Sequence, residues 1–76
     1  MRVVVRHFGP LRDLRGTDRE EVEVPAGTTA RALLERLAGD SDLPPLLYVL
    51  DEAWAGPDAV LSEGCEVAFL PPVGGG

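Results

Sequence analysis

The pattern of hydrophobic and polar positions predicts that the chain begins with two strands. "RVVVRHF", residues 2–8, is rich in β-branched residues and ends at Gly9-Pro10, as a strand does before a turn. "EEVEV", residues 20–24, alternates between glutamate and valine, which is typical of a half-buried second strand. A connection rich in turn residues is expected between the two strands.

From Thr28 the period changes to that of a helix. Apolar residues recur with the spacing of one helical face: Ala30, Leu33, Leu34, Leu37 and Ala38. The hydroxyl of Thr28 or Thr29 can cap the first turn, and Gly39 can end the helix in a left-handed conformation. One amphipathic helix is therefore predicted.

Three further strands are predicted after the helix. "LLYVL", residues 46–50, is apolar on both faces and suits a buried strand. A short edge strand around Trp54 follows. "CEVAFL", residues 65–70, alternates again, with Val67 and Phe69 on one face.

This order of elements predicts an α+β fold of the β-grasp, or ubiquitin-like, type. We expect a mixed sheet of four to five strands with one main helix across one face. The first and last strands should be central neighbours. Residues 1–70 would form this domain, and residues 71–76 would form an extended C-terminal tail.

Composition excludes several classes of function. Thirteen acidic residues against seven arginines give a net charge of −6, which has the wrong sign for a nucleic-acid-binding surface. One cysteine and one histidine cannot supply the usual zinc ligands or a disulfide. No apolar stretch approaches the roughly 20 residues of a membrane span. A cytoplasmic protein without a metal site is expected.

Two segments resemble a known family. "HFGPLRDLRG", residues 7–16, and "LSEGCEVAFLPPVGGG", residues 61–76, are similar to the ubiquitin-like sulfur carriers of the MoaD/ThiS type, typified by the small subunit of molybdopterin synthase. Cys65 stands where that family usually has Asp, and Asp51 stands where an Asn is common.

The tail has the properties that such a carrier needs. Gly74, Gly75 and Gly76 have no side chains and can enter a channel little wider than a backbone. The tail reaches about 20 Å when extended, and the prolines at 71 and 72 stiffen its exit. The resemblance implies that the carboxylate of Gly76 is adenylated and converted to a thiocarboxylate, with Gly75 as part of the reacting end.

The resemblance also implies the partners. An adenylating enzyme of the ubiquitin-activating type would use ATP to load the tail. The large subunit of molybdopterin synthase would receive the tail, in a heterotetramer of two large and two small subunits, and the sulfur would pass to a pterin precursor. The carrier would bind no cofactor itself and would contribute no catalytic side chain.

An exposed apolar strip is predicted on the sheet face opposite the helix. Ala68 and Leu70 face away from Val67 and Phe69, and Val4 joins them from the adjacent strand. Such a strip usually marks a partner surface. The expected partner contacts are Val4, Phe8, Ala68, Leu70, Pro71, Pro72, Val73 and Gly74.

The remaining candidate residues favour structural roles. Cys65 has no basic neighbour in sequence to favour a reactive thiolate, and burial suits it better. His7 is expected to be a hydrogen-bonded structural group. Trp54 is predicted to belong to the core or to cover its edge. Arg12 and Asp13 are expected to form a local ion pair.

Three alternative functions stay open at this point. The first is a sulfur carrier for another pathway, such as thiamine, cysteine, tRNA thiolation or a sulfur-containing natural product. The second is a ubiquitin-like modifier that forms isopeptide bonds with lysines. The third is an interaction module whose tail is inert.

Overall fold

A computed structural model describes residues 1–72 and contains one mixed sheet with two helices on one of its faces. The elements are β1 (Arg2–His7), α1 (Gly9–Arg15), β2 (Arg19–Glu23), α2 (Ala30–Ala38), β3 (Leu47–Leu50), β4 (Ala53–Ala55) and β5 (Glu66–Leu70). The strand order is β2-β1-β5-β3-β4. The predicted β-grasp fold is confirmed, with five strands.

The parallel pair of β1 and β5 forms the centre of the sheet. Val5 lies beside Val67, and His7 lies beside Phe69, while all other strand pairs are antiparallel. The first and last strands are therefore central neighbours, as predicted. No helix within residues 1–72 is long and apolar enough to cross a membrane.

The core lies between the sheet and the helices. Alternate residues of the two central strands are fully buried and pack against the apolar stripe of α2. The largest of these buried side chains are Val3, Val5, Leu11, Leu33, Val67 and Phe69. Tyr48 packs edge-on against Phe69, with ring centroids 5.7 Å apart.

The predicted ends of α2, at Thr29 and Gly39, are confirmed, but Gly39 does not adopt the predicted left-handed helical conformation, because its ψ is −127°. The hydroxyl of Thr29 accepts a hydrogen bond from the N–H of Ala32 at 3.2 Å. Gly39 has a φ of 58° and donates its N–H to the carbonyl of Glu35 at 3.0 Å. Since a positive φ is costly for most residues, glycine is the suitable residue at this end.

The helix α1 was not predicted, because the sequence pattern indicated only a turn-rich connection. It is seven residues long, with a proline in its first turn and Gly16 at its C-cap. Leu11 is fully buried, whereas Leu14 is 43% exposed. One buried position cannot produce a helical period. The predicted ion pair of Arg12 with Asp13 is also wrong, because Arg12 pairs with Asp18 instead.

A two-residue turn joins β3 to β4. Asp51 and Glu52 have φ angles of 49° and 68°, as in the tight turns that usually contain Asn-Gly. The carboxylate of Asp51 accepts the N–H of Glu66 at 2.9 Å, and its own N–H donates to the carbonyl of Glu66 at 2.8 Å. The turn is thus attached to β5 through Asp51, while Glu52 has the more positive φ.

Replacing Glu52 with glycine should stabilise the domain. Relief of a positive φ outweighs the entropy cost of glycine, so the free energy of unfolding should rise by about 0.5–1 kcal/mol. Thermal unfolding should then shift upward by about 2–8 °C. The matched control is Asp40→Gly, which removes one negative charge from an exposed position without positive φ. A Glu52→Gly variant no more stable than the Asp40→Gly variant would contradict this account of the turn.

Candidate functional site

The sheet face opposite the two helices is the candidate docking surface, here called the open face. Residues paired directly across neighbouring strands point to the same side of a sheet. The registers therefore place Arg6, Ala68, Val49 and Trp54 in one row across this face. Along that row the face changes from charged to apolar.

The apolar half of the open face lies over β5, β3 and β4, together with the residue that follows β1. It consists of Phe8, Leu47, Val49, Trp54, Ala68 and Leu70. A shallow groove of about 190 Å³ is lined by four of these residues, Phe8, Val49, Ala68 and Leu70, together with the charged residues Arg6, Glu52 and Glu66. Ala68 is 8% exposed and lies at the floor of the groove, whereas Trp54, which pairs with Val49 and does not line the groove, is 72% exposed.

The ionic half of the open face lies over β1 and β2. Arg2 contacts Glu23 at 3.1 Å and Glu21 at 3.7 Å. Arg6 contacts Glu66 at 3.6 Å. These exposed pairs contribute little to stability, but burying them in an interface would cost free energy. A partner is therefore expected to centre on the apolar half.

The predicted partner residues are not all in one place. Phe8, Ala68 and Leu70 lie together around the groove. Val4 lies between Glu21 and Glu66 in the sheet register, within the ionic half.

Trp54 was predicted as core or edge cover, and the prediction of a core position is wrong. Three residues of β4 are too few to show a strand period, so its exposed face could not be predicted.

The tail begins directly after β5. Pro71 and Pro72 are exposed and follow Leu70 at the end of the sheet where β1 also ends. Val73, Gly74, Gly75 and Gly76, which carry the predicted reaction chemistry, lie outside the described residues.

Cys65 is buried, as predicted. The prediction that His7 is hydrogen-bonded holds for Nε2, which contacts Glu20, but not for Nδ1, which is buried without a partner among the described residues. Cys65 is 4% exposed and precedes β5 by one residue. His7 is 1% exposed. A buried thiol and a buried imidazole on the core side of the sheet are poorly placed to react with a partner's substrate. Among residues 1–72, no group of three or more His, Cys, Asp or Glu side chains could hold a metal ion.

An ion-pair cluster attaches α1 to the sheet. Glu20 of β2 receives two hydrogen bonds from the guanidinium of Arg15, at 2.9 and 3.0 Å. Its carboxylate also contacts Nε2 of His7 at 2.6 Å. Arg15 further donates to the carbonyl of Leu37, at 3.5 Å, so the cluster connects both helices with β1 and β2.

The pKa of Glu20 lies below its usual value of 4.5 despite partial burial. The hydrogen bonds from Arg15 are the largest cause, and the hydrogen bond from His7 lowers the pKa further. The same pair raises the pKa of Arg15. The charged form of Glu20 is thus the form that the fold favours. Its role is structural, because the cluster lies on the helix side of the sheet.

Replacing Glu20 with glutamine should destabilise the protein at neutral pH and should destabilise it less at acidic pH. A lowered folded-state pKa contributes stability above the unfolded pKa, and that contribution is lost as pH falls through the folded pKa. The difference in unfolding free energy between wild type and Glu20→Gln should therefore shrink as pH falls from 6 towards 2, in urea titrations.

The matched control for this titration is Glu35→Gln on the exposed side of α2. Its unfolding free energy relative to wild type should stay level over the same pH range. A Glu20→Gln difference that stays level as well would show that the ion-pair cluster does not depend on the carboxylate charge.

Comparison with known proteins gives a consistent result along nearly the whole chain. The ThiS family model matches residues 5–76. The molybdopterin synthase sulfur carrier subunit of Escherichia coli (strain K12) is 36% identical over 81 aligned positions, which cover 97% of this chain and 99% of that protein.

Two solved structures are similar in both fold and sequence. A putative molybdopterin converting factor, subunit 1, from Pyrococcus furiosus has a TM-score of 0.81 and 26% identity, covering 95% of this chain and 98% of its own. The second is a complex of subunits 1 and 2 of molybdopterin-converting factor from Helicobacter pylori 26695. The matching chain has a TM-score of 0.65 and 25% identity, with 100% of both chains covered.

Proposed function

The chain belongs to the ThiS family, and on this premise we propose that it is a sulfur carrier, the small subunit of a molybdopterin synthase. The main support is the match of 36% identity to the Escherichia coli sulfur carrier subunit over almost the full length of both proteins. Where β5 ends, the chain continues into Pro71 and Pro72, so the tail begins at the end of the sheet where β1 also ends.

The reacting group in this proposal is the carboxylate of Gly76. An adenylating enzyme of the ubiquitin-activating type joins it to the α-phosphate of ATP, and pyrophosphate leaves. A sulfur nucleophile then attacks the acyl carbon and displaces AMP, which leaves a thiocarboxylate. Gly75 and Gly74 allow this end to enter a narrow active site. The thiocarboxylate sulfur is finally donated to a pterin precursor in molybdenum cofactor biosynthesis.

In this proposal the chain supplies the tethered donor and its partners supply the catalytic side chains. Tethering and orientation alone can lower a barrier by several kcal/mol. The burial of His7 and Cys65 supports this division, because neither can approach a substrate held by a partner. ATP is bound by the activating enzyme, and the carrier itself needs no cofactor. The cytoplasmic location expected from the sequence stays a prediction.

The large subunit of molybdopterin synthase is the proposed acceptor, and a heterotetramer of two large and two small subunits is the proposed assembly. The Helicobacter pylori complex supports such a partner, because it joins subunits 1 and 2 of a molybdopterin-converting factor. The apolar half of the open face provides the docking centre, with Trp54 as an anchor of the kind enriched at interfaces. Glu52 at the groove favours a basic residue at the rim of the partner, whereas Glu66 is already paired with Arg6.

Intact-mass measurement tests the sulfur-carrier chemistry. The chain is incubated with ATP, a sulfide source and a cognate adenylating enzyme, and one oxygen should be exchanged for sulfur at Gly76. Deletion of Gly76 should abolish this exchange while binding to the large subunit persists, because docking depends on the open face. Transfer of the sulfur to a pterin precursor by the large subunit identifies the pathway.

The activating enzyme needs its own control, a carrier on which it is known to act. An unchanged mass of the wild-type chain, with that control modified, would contradict the proposal. Isopeptide conjugates with lysines of other proteins would favour the modifier alternative. Loss of folding on deletion of Gly76 would refute the separation of docking from chemistry.

A further inference from the structure

The groove of the open face follows β5 and changes in character along its length. Three of its lining residues alternate along that strand: Glu66, Ala68 and Leu70. The register places Ala68 between Arg6 of β1 and Val49 of β3. Phe8 lies two residues beyond Arg6, at the Leu70 end of the groove. That end is therefore apolar, whereas the opposite end is charged.

The charges that line the groove do not cancel. Arg6 and Glu66 contact each other at 3.6 Å, so together they are neutral. Glu52 also lines the groove, from the turn between β3 and β4, and its neighbour Asp51 donates its N–H to the carbonyl of Glu66 at 2.8 Å. Among residues 1–72 the carboxylate of Glu52 forms no ion pair and accepts no hydrogen bond. One negative charge at this end is thus left for a partner to neutralise.

The backbone conformation of Glu52 is unfavourable for a glutamate. Its φ of 68° lies in the left-handed region, where Asn and Asp are enriched but most other residues with a side chain are uncommon. Asp51, with a φ of 49°, has a structural reason to be there, because its carboxylate accepts the N–H of Glu66 at 2.9 Å. Glu52 has no such contact within the part of the chain that the structure describes. A costly conformation that no internal contact explains points to a functional role.

The groove has room for one side chain rather than for a small-molecule ligand. Its volume of about 190 Å³ is smaller than that of most ligand pockets. Arginine and lysine bury an aliphatic stem along apolar surface while their charged head reaches a polar group or water. Such a side chain matches both ends of the groove, with its stem towards Phe8 and Leu70 and its head at Glu52.

We propose that Glu52 is a specificity-determining residue of the docking surface: its carboxylate receives the cationic head of one arginine or lysine of the partner, whose stem packs on Ala68 and Leu70. This role rests on the proposed function, in which the partner is the large subunit of molybdopterin synthase. A partner with an uncharged or acidic residue at this position would leave the carboxylate of Glu52 unpaired in the interface. Glu52 therefore selects against such partners.

Binding of the intact chain to the large subunit of molybdopterin synthase tests this role with two matched pairs of variants. Glu52→Gln removes the charge and Glu52→Lys reverses it, while Glu35→Gln and Glu35→Lys make the same changes on the exposed side of α2. The Kd should rise about 5- to 20-fold for Glu52→Gln, and by more for Glu52→Lys, because the partner's cation loses its counter-charge. The Glu35 variants should bind within about twofold of wild type, since salt screens a charge on the opposite side of the domain.

The Glu52→Gly variant separates binding from stability. It should unfold at a higher temperature than the wild type, because it relieves the positive φ. It should nevertheless bind the large subunit about as weakly as Glu52→Gln does, because it also lacks the carboxylate. A residue that served only the turn would change the stability alone.

A double-mutant cycle identifies the partner's side chain. Each arginine and lysine at the interface of the large subunit is replaced in turn by methionine, which keeps an unbranched apolar stem without the charge. One of these replacements should be coupled to Glu52→Gln, so that the double change weakens binding less than the two single changes together predict. The other replacements should be additive with Glu52→Gln.

Three results would overturn the role of Glu52. Kd values of the Glu52 variants equal to those of their Glu35 counterparts would show that the groove receives no cation. Tighter binding by Glu52→Gln would assign an apolar side chain to the groove, and additivity with every arginine and lysine of the large subunit would leave Glu52 without a partner. A wild-type chain that does not bind the large subunit would instead contradict the proposed function, and the role of Glu52 would fall with it.

Discussion

Parallel pairing between β1 and β5 is the constraint on which the rest of the structure depends. It brings the first and last strands of the domain together at the centre of the sheet, so both end at the same edge. At that end of the sheet the chain after β1 turns into α1, whereas the chain after β5 continues into Pro71 and Pro72. If β1 and β5 were antiparallel, the tail would begin at the other end of the sheet, away from Phe8 and Gly9.

The two faces of the sheet differ in what they bury and in what they expose. The helix side buries Val5, Phe69 and the stripe of α2, and the Arg15–Glu20 pair attaches α1 to it. The open face has two different halves. Desolvation of the ionic half would cost free energy, whereas the apolar half is exposed around a groove. An 8.1 kDa domain thus exposes a small, partly apolar groove beside Leu70, the residue after which the tail begins.

Sequence patterns predicted the elements that are long enough to show a hydrophobic period. The alternation of β2 and β5 and the stripe of α2 each include several residues, so their faces and ends could be predicted. The short elements α1 and β4 have too few positions for a period, and as a result the exposure of Trp54 was not foreseen. Val4 was assigned to the apolar strip because its charged neighbours, Glu21 and Glu66, come from strands distant in sequence.

The central claim is that the apolar half of the open face binds the partner while the helix side and the ionic half stay free. Backbone amide shifts of the isotopically labelled chain, measured during titration with the large subunit of molybdopterin synthase, test it directly. The account predicts that the largest shifts fall on Val49, Trp54, Ala68 and Leu70, with little change along the exposed side of α2. Shifts concentrated on α2 or on β2 would contradict it.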